Sequence, residues 1–129
     1  MSLEAGQKHE VQLVEDLKRT QIVQYAGASG DYNPLHTDEP FATKVAGYPT
    51  VFAHGMLTMG MTGRALTDLV GVENLTRFGG RFTSQVWPGD TLTAEITVDS
   101  VSDGIAELTV STKNQDGVEV FSGTAAARV

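Results

Sequence analysis

The sequence predicts an α+β domain in which one antiparallel β-sheet of five strands wraps around a single long central helix. The last third of the chain alternates apolar and polar residues with period two and carries strong turn signals, which predicts a run of strands. One earlier segment is apolar nearly all round at helical spacing, which indicates a buried helix. A sheet packed on such a helix is a stable layered arrangement, and 129 residues suit one domain spanning residues 1–129.

The first two predicted elements are a strand and a short helix. Residues 8–16 alternate loosely around Val11 and Leu13, which predicts the strand. Thr20 is a candidate N-cap for the helix that follows, and Gly30 is placed to end that helix in a left-handed conformation.

Residues 30–55 predict an irregular but ordered segment, because they contain three prolines and three glycines. One helical turn is expected within Glu39–Val45. Long ordered loops are common places for functional sites, so this segment is the first place to look for chemistry.

The long helix is predicted over residues 56–70; it is apolar nearly all round and is therefore expected to be buried rather than half-exposed. Gly60 and Gly63 each cost up to about 1 kcal/mol of helix propensity relative to alanine. Their expected benefit is a close approach to the sheet or to a partner chain. Arg64 and Asp68 lie four residues apart and are expected to pair on the exposed side.

The remaining strands are separated by turn sequences. Asp-Gly pairs at 103–104 and 116–117 predict hairpin turns, and Trp-Pro-Gly-Asp at 87–90 predicts a third turn. One sheet and one helix leave strand edges and apolar surface uncovered, so dimerisation is expected. The predicted strands are Arg77–Trp87, Leu92–Val98, Ile105–Ser111 and Val118–Val129.

Composition excludes several classes of protein. The absence of cysteine rules out disulfides, a thiolate nucleophile and cysteine-based zinc sites. A net charge of −7 disfavours nucleic acid, which binds basic surfaces. No segment reaches the ~18 consecutive apolar residues of a membrane helix, and the first ten residues lack the pattern of a secretory signal. A cytoplasmic protein is therefore expected.

The richest group of reactive side chains lies in SGDYNPLH, residues 29–36. Pro34 fixes its own φ and keeps Asn33 out of the α region, so a shaped loop rather than a helix or strand is expected to hold Asp31 and His36. A carboxylate and an imidazole held in this way can bind one water and move protons near neutral pH. A purely structural role stays open, because Asp and Asn side chains also stabilise turns.

The second group is Ala-His-Gly-Met at 53–56, where the long helix begins. Backbone N–H groups at a helix N-terminus favour negative charge, so a carbonyl placed at Gly55 would find an oxyanion hole. Alternatively, Gly55 is a closely packed helix start and His54 a partly buried histidine with satisfied hydrogen bonds. Asp31, His36 and His54 offer metal-ligand atoms, but their spacing matches no familiar pattern, so no metal site is predicted.

Together, SGDYNPLH at 29–36 and AHGMLTMG at 53–60 resemble the MaoC-like family of (R)-specific enoyl-thioester hydratases and 3-hydroxyacyl-thioester dehydratases. The segments QIVQYAGA at 21–28 and PGDTLTAEI at 88–96 are also similar, so the resemblance covers most of the chain. It implies a single hotdog fold, in which the sheet wraps the long helix. It also implies a homodimer, or a heterodimer with another hotdog subunit, whose acyl-thioester sites lie near the subunit interface.

The resemblance further implies roles for four residues. Asp31 and His36 match the catalytic acid–base pair, and Asn33 matches the polar residue between them. Gly55 matches the glycine whose backbone N–H polarises the thioester carbonyl. The implied substrate is a thioester of coenzyme A or acyl carrier protein, and no metal or redox cofactor is implied, because the thioester already acidifies the α-position.

Several other residues are candidates for binding the substrate. Those that would line the acyl pocket, or else simply pack, are Tyr48, Phe52, Thr58 and Thr62. Methionines that would form an adaptable acyl tunnel, or else fill the core, are Met56, Met59 and Met61. Basic residues that would meet coenzyme A phosphates, or else remain surface charges, are Lys44, Arg64, Arg77 and Arg81.

Two other functions stay open at this point. A hotdog thioesterase would direct water at the carbonyl carbon, although the Asp31–His36 pair favours hydration because it can handle two protons. A non-catalytic or partner-dependent acyl-thioester-binding subunit would stabilise another chain, and the presence of both Asp31 and His36 argues against a purely non-catalytic one.

Overall fold

The computed structural model describes residues 2–129 and contains one five-stranded antiparallel sheet. Its strands are β1 (Lys8–Val14), β2 (Leu75–Phe82), β3 (Leu92–Ser102), β4 (Ile105–Lys113) and β5 (Glu119–Arg128). They are arranged in the order β1-β3-β4-β5-β2, so β1 and β2 form the two edges. The helices are α1 (Arg19–Ser29), α2 (Pro34–Thr37) and α3 (Gly55–Val70), with a π-helical turn at Phe41–Val45. The predicted α+β class and five-stranded sheet are confirmed.

The inner face of the sheet packs against α3, as the alternation of apolar residues predicts. The buried side of α3 is formed by Thr58, Thr62, Ala65 and Leu66. Buried residues of β3, β4 and β5 meet it from the sheet, chiefly Ile96, Val98, Leu108, Val110 and Ala125. This contact fixes the long helix, and therefore its first turn, relative to the strands.

The prediction that the long helix is buried rather than half-exposed is wrong for a single chain, because only one side of α3 is buried. Met56 is 54% exposed, and a Cβ added to Gly60 would meet no atom within 4 Å. Gly63 does allow a close approach to the sheet, because an added Cβ would lie 3.2 Å from the Phe78 ring on β2. The Arg64–Asp68 pair forms as expected, with Nε and Oδ2 3.8 Å apart.

The second strand ends at Phe82, five residues before the predicted end at Trp87. Beyond Phe82 the chain leaves the sheet and turns towards the segment before α3, where the Val86 carbonyl accepts a hydrogen bond from the Ala53 N–H at 2.8 Å. The turn at 87–90 forms as predicted, with the Asp90 N–H donating to the Trp87 carbonyl at 3.0 Å. The alternation in 83–87 therefore belongs to a loop that faces the helix start.

The start of α1 and the structure around His36 also differ from the sequence expectation. The first helix begins at Arg19 rather than after Thr20, because the Gln21 side chain accepts a hydrogen bond from the Lys18 N–H at 3.4 Å. The expectation that neither helix nor strand holds His36 is wrong, since His36 lies in the single turn of α2. Proline at the first helical position and the Asn33 side chain at the N-cap start this turn.

The hairpin between β3 and β4 forms where the Asp-Gly signal predicts it. Asp103 and Gly104 have φ values of 53° and 76°, as a turn with two left-handed central residues requires. Among residues 2–129, no helix is both long and apolar enough to cross a membrane.

Candidate active site

The loop between α1 and α2 presents Asp31 at the surface. Gly30 ends α1 with a φ of 76°, so the chain turns sharply just before the carboxylate. The Asp31 Oδ1 accepts a hydrogen bond from the Asn33 N–H at 3.2 Å. Asn33 in turn accepts from the Leu35 N–H at 3.0 Å and caps α2. Asp31 and Asn33 thus stabilise the turn, and this local structure determines where the Asp31 carboxylate lies.

His36 is held by the main chain just before α3. Its Nδ1 lies 2.6 Å from the Phe52 carbonyl oxygen, and the Phe52 N–H donates to the Leu35 carbonyl at 3.3 Å. Because a carbonyl oxygen only accepts, Nδ1 carries the hydrogen, and in the neutral imidazole Nε2 therefore keeps its lone pair. The imidazole is therefore oriented to accept a proton or a hydrogen bond at Nε2.

Burial lowers the pKa of His36 below the ordinary histidine value of 6.5. The hydrogen bond to Phe52 opposes this effect, His54 lowers the pKa further, and the nearby Asp31 carboxylate raises it. The net direction is downwards, so His36 is neutral at pH 7 and available as a base. This electrostatic setting suits acid–base chemistry near neutral pH.

His54 is buried at the position just before α3, with 2% of its surface exposed. Its ring stacks on His36 with centroids 3.8 Å apart and an interplanar angle of 26°. Its Nε2 lies 3.0 Å from the main-chain carbonyl oxygen of Asp31. Its Nδ1 is buried and has no partner among residues 2–129. The alternative of a partly buried histidine with satisfied hydrogen bonds is therefore wrong.

The side chains of Asp31, His36 and His54 form one cluster. Their possible ligand atoms all lie within 4.8 Å of one another, although the sequence spacing gave no metal pattern. The two imidazoles stack face to face, so their ring nitrogens do not converge on a single point, and the Asp31 carbonyl already occupies Nε2 of His54. These residues do not fit a metal centre well.

A groove of about 290 Å³ lies beside this cluster. Its walls come from the segment before α3, the first turn of α3, the end of β2 with the loop after it, and β5. The lining residues are Phe52, Ala53, Gly55, Thr58, Phe82, Thr83, Ser84, Gln85, Val86 and Val120. Phe52 connects the two features, because its carbonyl holds His36 while the residue itself lines the groove.

Gly55 begins α3 and lines the groove, so its N–H has no partner within the helix. A Cβ added at this position would lie 2.9 Å from the ring of Phe82, which explains the glycine by close packing. The helix N-terminus also favours negative charge. The predicted oxyanion role and the packing role are therefore compatible at Gly55.

The two threonines predicted to bind the substrate lie in different environments. Thr58 is one of the residues around the groove, and its hydroxyl is fully buried with no hydrogen-bond partner among residues 2–129. The Thr62 Oγ1 instead lies 2.8 Å from the Thr112 Oγ1 in the core and does not line the groove. The structure thus brings Thr58 to the groove and leaves Thr62 with a structural hydrogen bond.

The aromatic candidates form a cluster behind the groove. Tyr48 packs edge-on against Phe52 with centroids 4.9 Å apart, and Trp87 packs against Phe52 at 5.8 Å. Only Phe52 of these three lines the groove. Tyr48 therefore supports a groove wall instead of forming it.

None of the four basic candidates lines the groove. Arg77 pairs with Glu107 at 2.7 Å, a contact that raises the pKa of Arg77 and lowers that of Glu107. Arg64 pairs with Asp68, whereas Lys44 and Arg81 are exposed and form no ion pair within the part of the chain that the structure describes. The geometry gives no preferred phosphate contact.

Sequence reasoning missed one side of the groove. Phe82, Val120 and the segment 83–86 come next to the helix start because the Ala53–Val86 hydrogen bond joins two segments that lie far apart in the chain. No local spacing signals this contact. The possibility that Gly55 is a closely packed helix start was the only sign in the sequence that a bulky side chain contacts this position.

Comparison with known proteins gives consistent matches. The family model described as "MaoC like domain" matches residues 2–119. The 3-hydroxyacyl-thioester dehydratase Y of Mycobacterium tuberculosis is 48% identical over 71 residues, which are 53% of this chain and 24% of that protein. The peroxisomal enoyl-CoA hydratase 2 of Arabidopsis thaliana is 44% identical over 71 residues, 53% of this chain and 23% of that protein. The match thus spans about a quarter of these curated relatives.

Solved structures match over nearly the whole chain. The (R)-hydratase from A. caviae involved in PHA biosynthesis has a TM-score of 0.87 and 30% identity, covering 99% of this chain and 98% of that one. The unliganded R-hydratase PhaJ1 from Pseudomonas aeruginosa has a TM-score of 0.87 and 28% identity, covering 98% and 82%. The expected hotdog fold is confirmed.

Proposed function

The chain belongs to the MaoC-like dehydratase family, and from this premise we propose that it hydrates 2-enoyl thioesters or dehydrates 3-hydroxyacyl thioesters, with Asp31 and His36 as its acid–base pair. The family supports hydration and dehydration of acyl thioesters in general. The finer proposal is carried by one observation: a carboxylate and an imidazole, whose pKa burial lowers, lie together beside a groove that contains the Gly55 helix start.

In the proposed reaction, the thioester carbonyl lies at the Gly55 N–H, where the start of α3 stabilises negative charge on oxygen. A water held between the Asp31 carboxylate and the His36 Nε2 attacks the β-carbon of the enoyl group. One of these two groups takes a proton from the water, and a proton is delivered to the α-carbon. Dehydration follows the same steps in reverse. The thioester itself acidifies the α-position, so this scheme uses no metal or redox cofactor.

The substrate is proposed to be a thioester of coenzyme A or acyl carrier protein whose acyl part enters the groove. Phe52 and Val120 offer apolar contact, and the unpartnered Thr58 hydroxyl offers a polar one. A buried hydroxyl without a partner costs about 1–3 kcal/mol, which a hydrogen bond to bound substrate or water would offset. Tyr48 is proposed to act indirectly, by packing behind Phe52.

The working form is proposed to be a dimer, either of two copies or with another hotdog subunit. Phe82 is 49% exposed at the end of edge strand β2, and Met56 is 54% exposed on α3 next to Gly55. These apolar side chains lie beside the groove, and a second hotdog unit covering them would exclude water from the reacting groups.

The first experiment follows absorbance at the enoyl-thioester band with crotonyl-coenzyme A and a longer enoyl analogue, with free thiol assayed in parallel. Loss of the band without thiol release is the expected result. Thiol release would establish a thioesterase instead. No change in either signal would contradict the proposed activity for the isolated chain and favour a binding-only or partner-dependent subunit.

A further inference from the structure

We propose that His54 is a positioning residue that fixes the positions of Asp31 and His36 relative to each other. This inference rests on the function proposed above, because it assigns His54 a task within that same site. It is carried by the contacts of one buried side chain with both members of the pair. His54 is 2% exposed and its Nε2 is already bonded to the Asp31 main chain, so it acts through its neighbours and not on the substrate.

The first contact is with the main chain at Asp31. The His54 Nε2 lies 3.0 Å from the Asp31 carbonyl oxygen, and since that oxygen only accepts, Nε2 carries the hydrogen. Asp31 is exposed, and the other hydrogen bonds of its loop are local, to Ser29 and Asn33. The bond from His54 is therefore a link between this loop and the buried part of the site.

The second contact is with the ring of His36. The two imidazoles stack at 3.8 Å, so His54 restricts rotation of the His36 ring on one face. The Phe52 carbonyl fixes the Nδ1 edge of the same ring, and the Phe52 ring packs against it at 5.2 Å. These contacts together determine the direction in which the His36 Nε2 points.

His54 is itself fixed from other directions. Tyr25 on α1 packs edge-on against its ring at 4.8 Å. The next residue along the chain is Gly55, the first residue of α3. His54 therefore connects the Asp31 loop, the α2 turn and the helix start at one point. Because misplacement by about 1 Å can cost about 100-fold in rate, this connection has a direct kinetic consequence.

The electrostatic surroundings give a second readout. The ionisable groups facing His36 are Asp31 from its loop and His54 from the segment before α3, with Tyr25 of α1 behind His54. His54 lowers the pKa of His36, whereas Asp31 raises it. Removing the His54 imidazole is therefore expected to raise the pKa of His36.

Two substitutions test the contact with Asp31 and the contact with His36 separately. His54→Phe keeps a flat ring for stacking but removes the N–H that bonds to Asp31, and His54→Gln keeps an N–H donor but removes the ring. Each is expected to lower kcat by about 10-fold or more with KM changed less than about 2-fold, because the reacting groups are displaced while the groove is unaltered. The matched control is His9→Phe on β1, whose Nε2 is likewise buried without a partner but is outside the site. The control should keep kcat within about 2-fold.

Nitrogen-15 NMR of the histidines tests the same inference without substrate. In the unmodified protein, His54 should carry its hydrogen on Nε2 and His36 on Nδ1. The titration of His36 should move to higher pH in both His54 variants and stay unchanged in His9→Phe. A His54 with its hydrogen on Nδ1, or an unchanged His36 titration together with normal kcat, would overturn the positioning role. A chain that hydrates no enoyl thioester would instead refute the proposed function, and the NMR result would still stand by itself.

Discussion

At the scale of single residues, the two members of the proposed pair lie in unlike environments although five positions separate them. Asp31 is exposed on a turn, where its Oδ1 accepts from the Asn33 N–H. His36 is partly buried, and its Nδ1 donates to the Phe52 carbonyl. The carboxylate therefore stays in contact with solvent, while the imidazole keeps one directed lone pair. This difference suits a pair that handles two protons.

Replacing either member of the pair tests the proposed chemistry. Asp31→Asn and His36→Ala should each lower turnover by about 100-fold or more, because each removes a proton-transfer group. Neither residue is fully buried, so circular dichroism should show an intact fold. Asp116→Asn, in the exposed turn before β5, is the control and should keep normal turnover. Near-normal rates in both site variants would refute the mechanism.

The rate should depend on pH through His36. Its pKa is lowered by burial, so the neutral imidazole persists below pH 6.5 and is lost only as the pH falls through the depressed value. The acid limb of the kcat/KM profile, which reports the free protein, is therefore expected below pH 6.5. An acid limb above that value would show that a different group controls the rate.

The two buried threonines should respond differently to valine. Thr62→Val leaves the Thr112 hydroxyl buried without its partner and should lower the free energy of unfolding by about 1–3 kcal/mol. Thr58→Val removes a hydroxyl that has no partner, so stability should hold or rise while KM increases. Urea unfolding and enoyl-thioester kinetics measure both effects, and equal stability losses would contradict this assignment.

At the scale of elements, the first turn of α3 and the end of β2 define the groove. Gly55 faces the Phe82 ring so closely that a methyl group would lie 2.9 Å from it. Past Phe82, the chain leaves the sheet and pairs with the segment before α3 through the Ala53–Val86 hydrogen bond. The helix start and the strand end are thus positioned by each other.

Gly55→Ala tests this mutual fit. The added methyl group should displace the Phe82 ring, costing about 1–3 kcal/mol of stability and most of the activity. Adding Phe82→Ala to the Gly55→Ala variant makes room for the new methyl group. The double variant should therefore recover the stability that Gly55→Ala alone loses. Urea unfolding of the single and double variants measures the coupling, and purely additive effects would argue against the contact.

At the scale of the whole molecule, one sheet covers only one side of the long helix. Met56 and Phe82 remain about half exposed beside the groove, and β2 lies at an edge of the sheet. A surface of this kind is suited to a second subunit. Whether the groove is closed to solvent therefore depends on what covers Met56 and Phe82.

Sedimentation of the purified chain should give about twice the 13.7 kDa of one copy. Activity should fall on dilution in parallel with dissociation, because each groove would lose its cover. A fully active monomer would contradict the need for a second subunit. An inactive monomer that gains activity with another hotdog chain would indicate a heterodimer.

The sequence by itself determined the elements and the motif. Period-two alternation located the strands β3, β4 and β5, and the Asp-Gly pair at 103–104 located their first turn. The apolar run at 56–70 located the long helix to within one residue. The motif at 29–36 pointed to the family, which the family model and the curated relatives confirmed. These features depend on residues that are close together in the sequence, so local sequence patterns predict them.

Only the tertiary structure decided what surrounds the motif. It stacked His54 on His36, set Phe82 against Gly55, and gave Thr62 a partner while leaving Thr58 without one. Each of these contacts joins residues that are distant in the chain or lie on different elements. Their geometry follows from strand register and from the packing of α3 on the sheet, which no local spacing encodes.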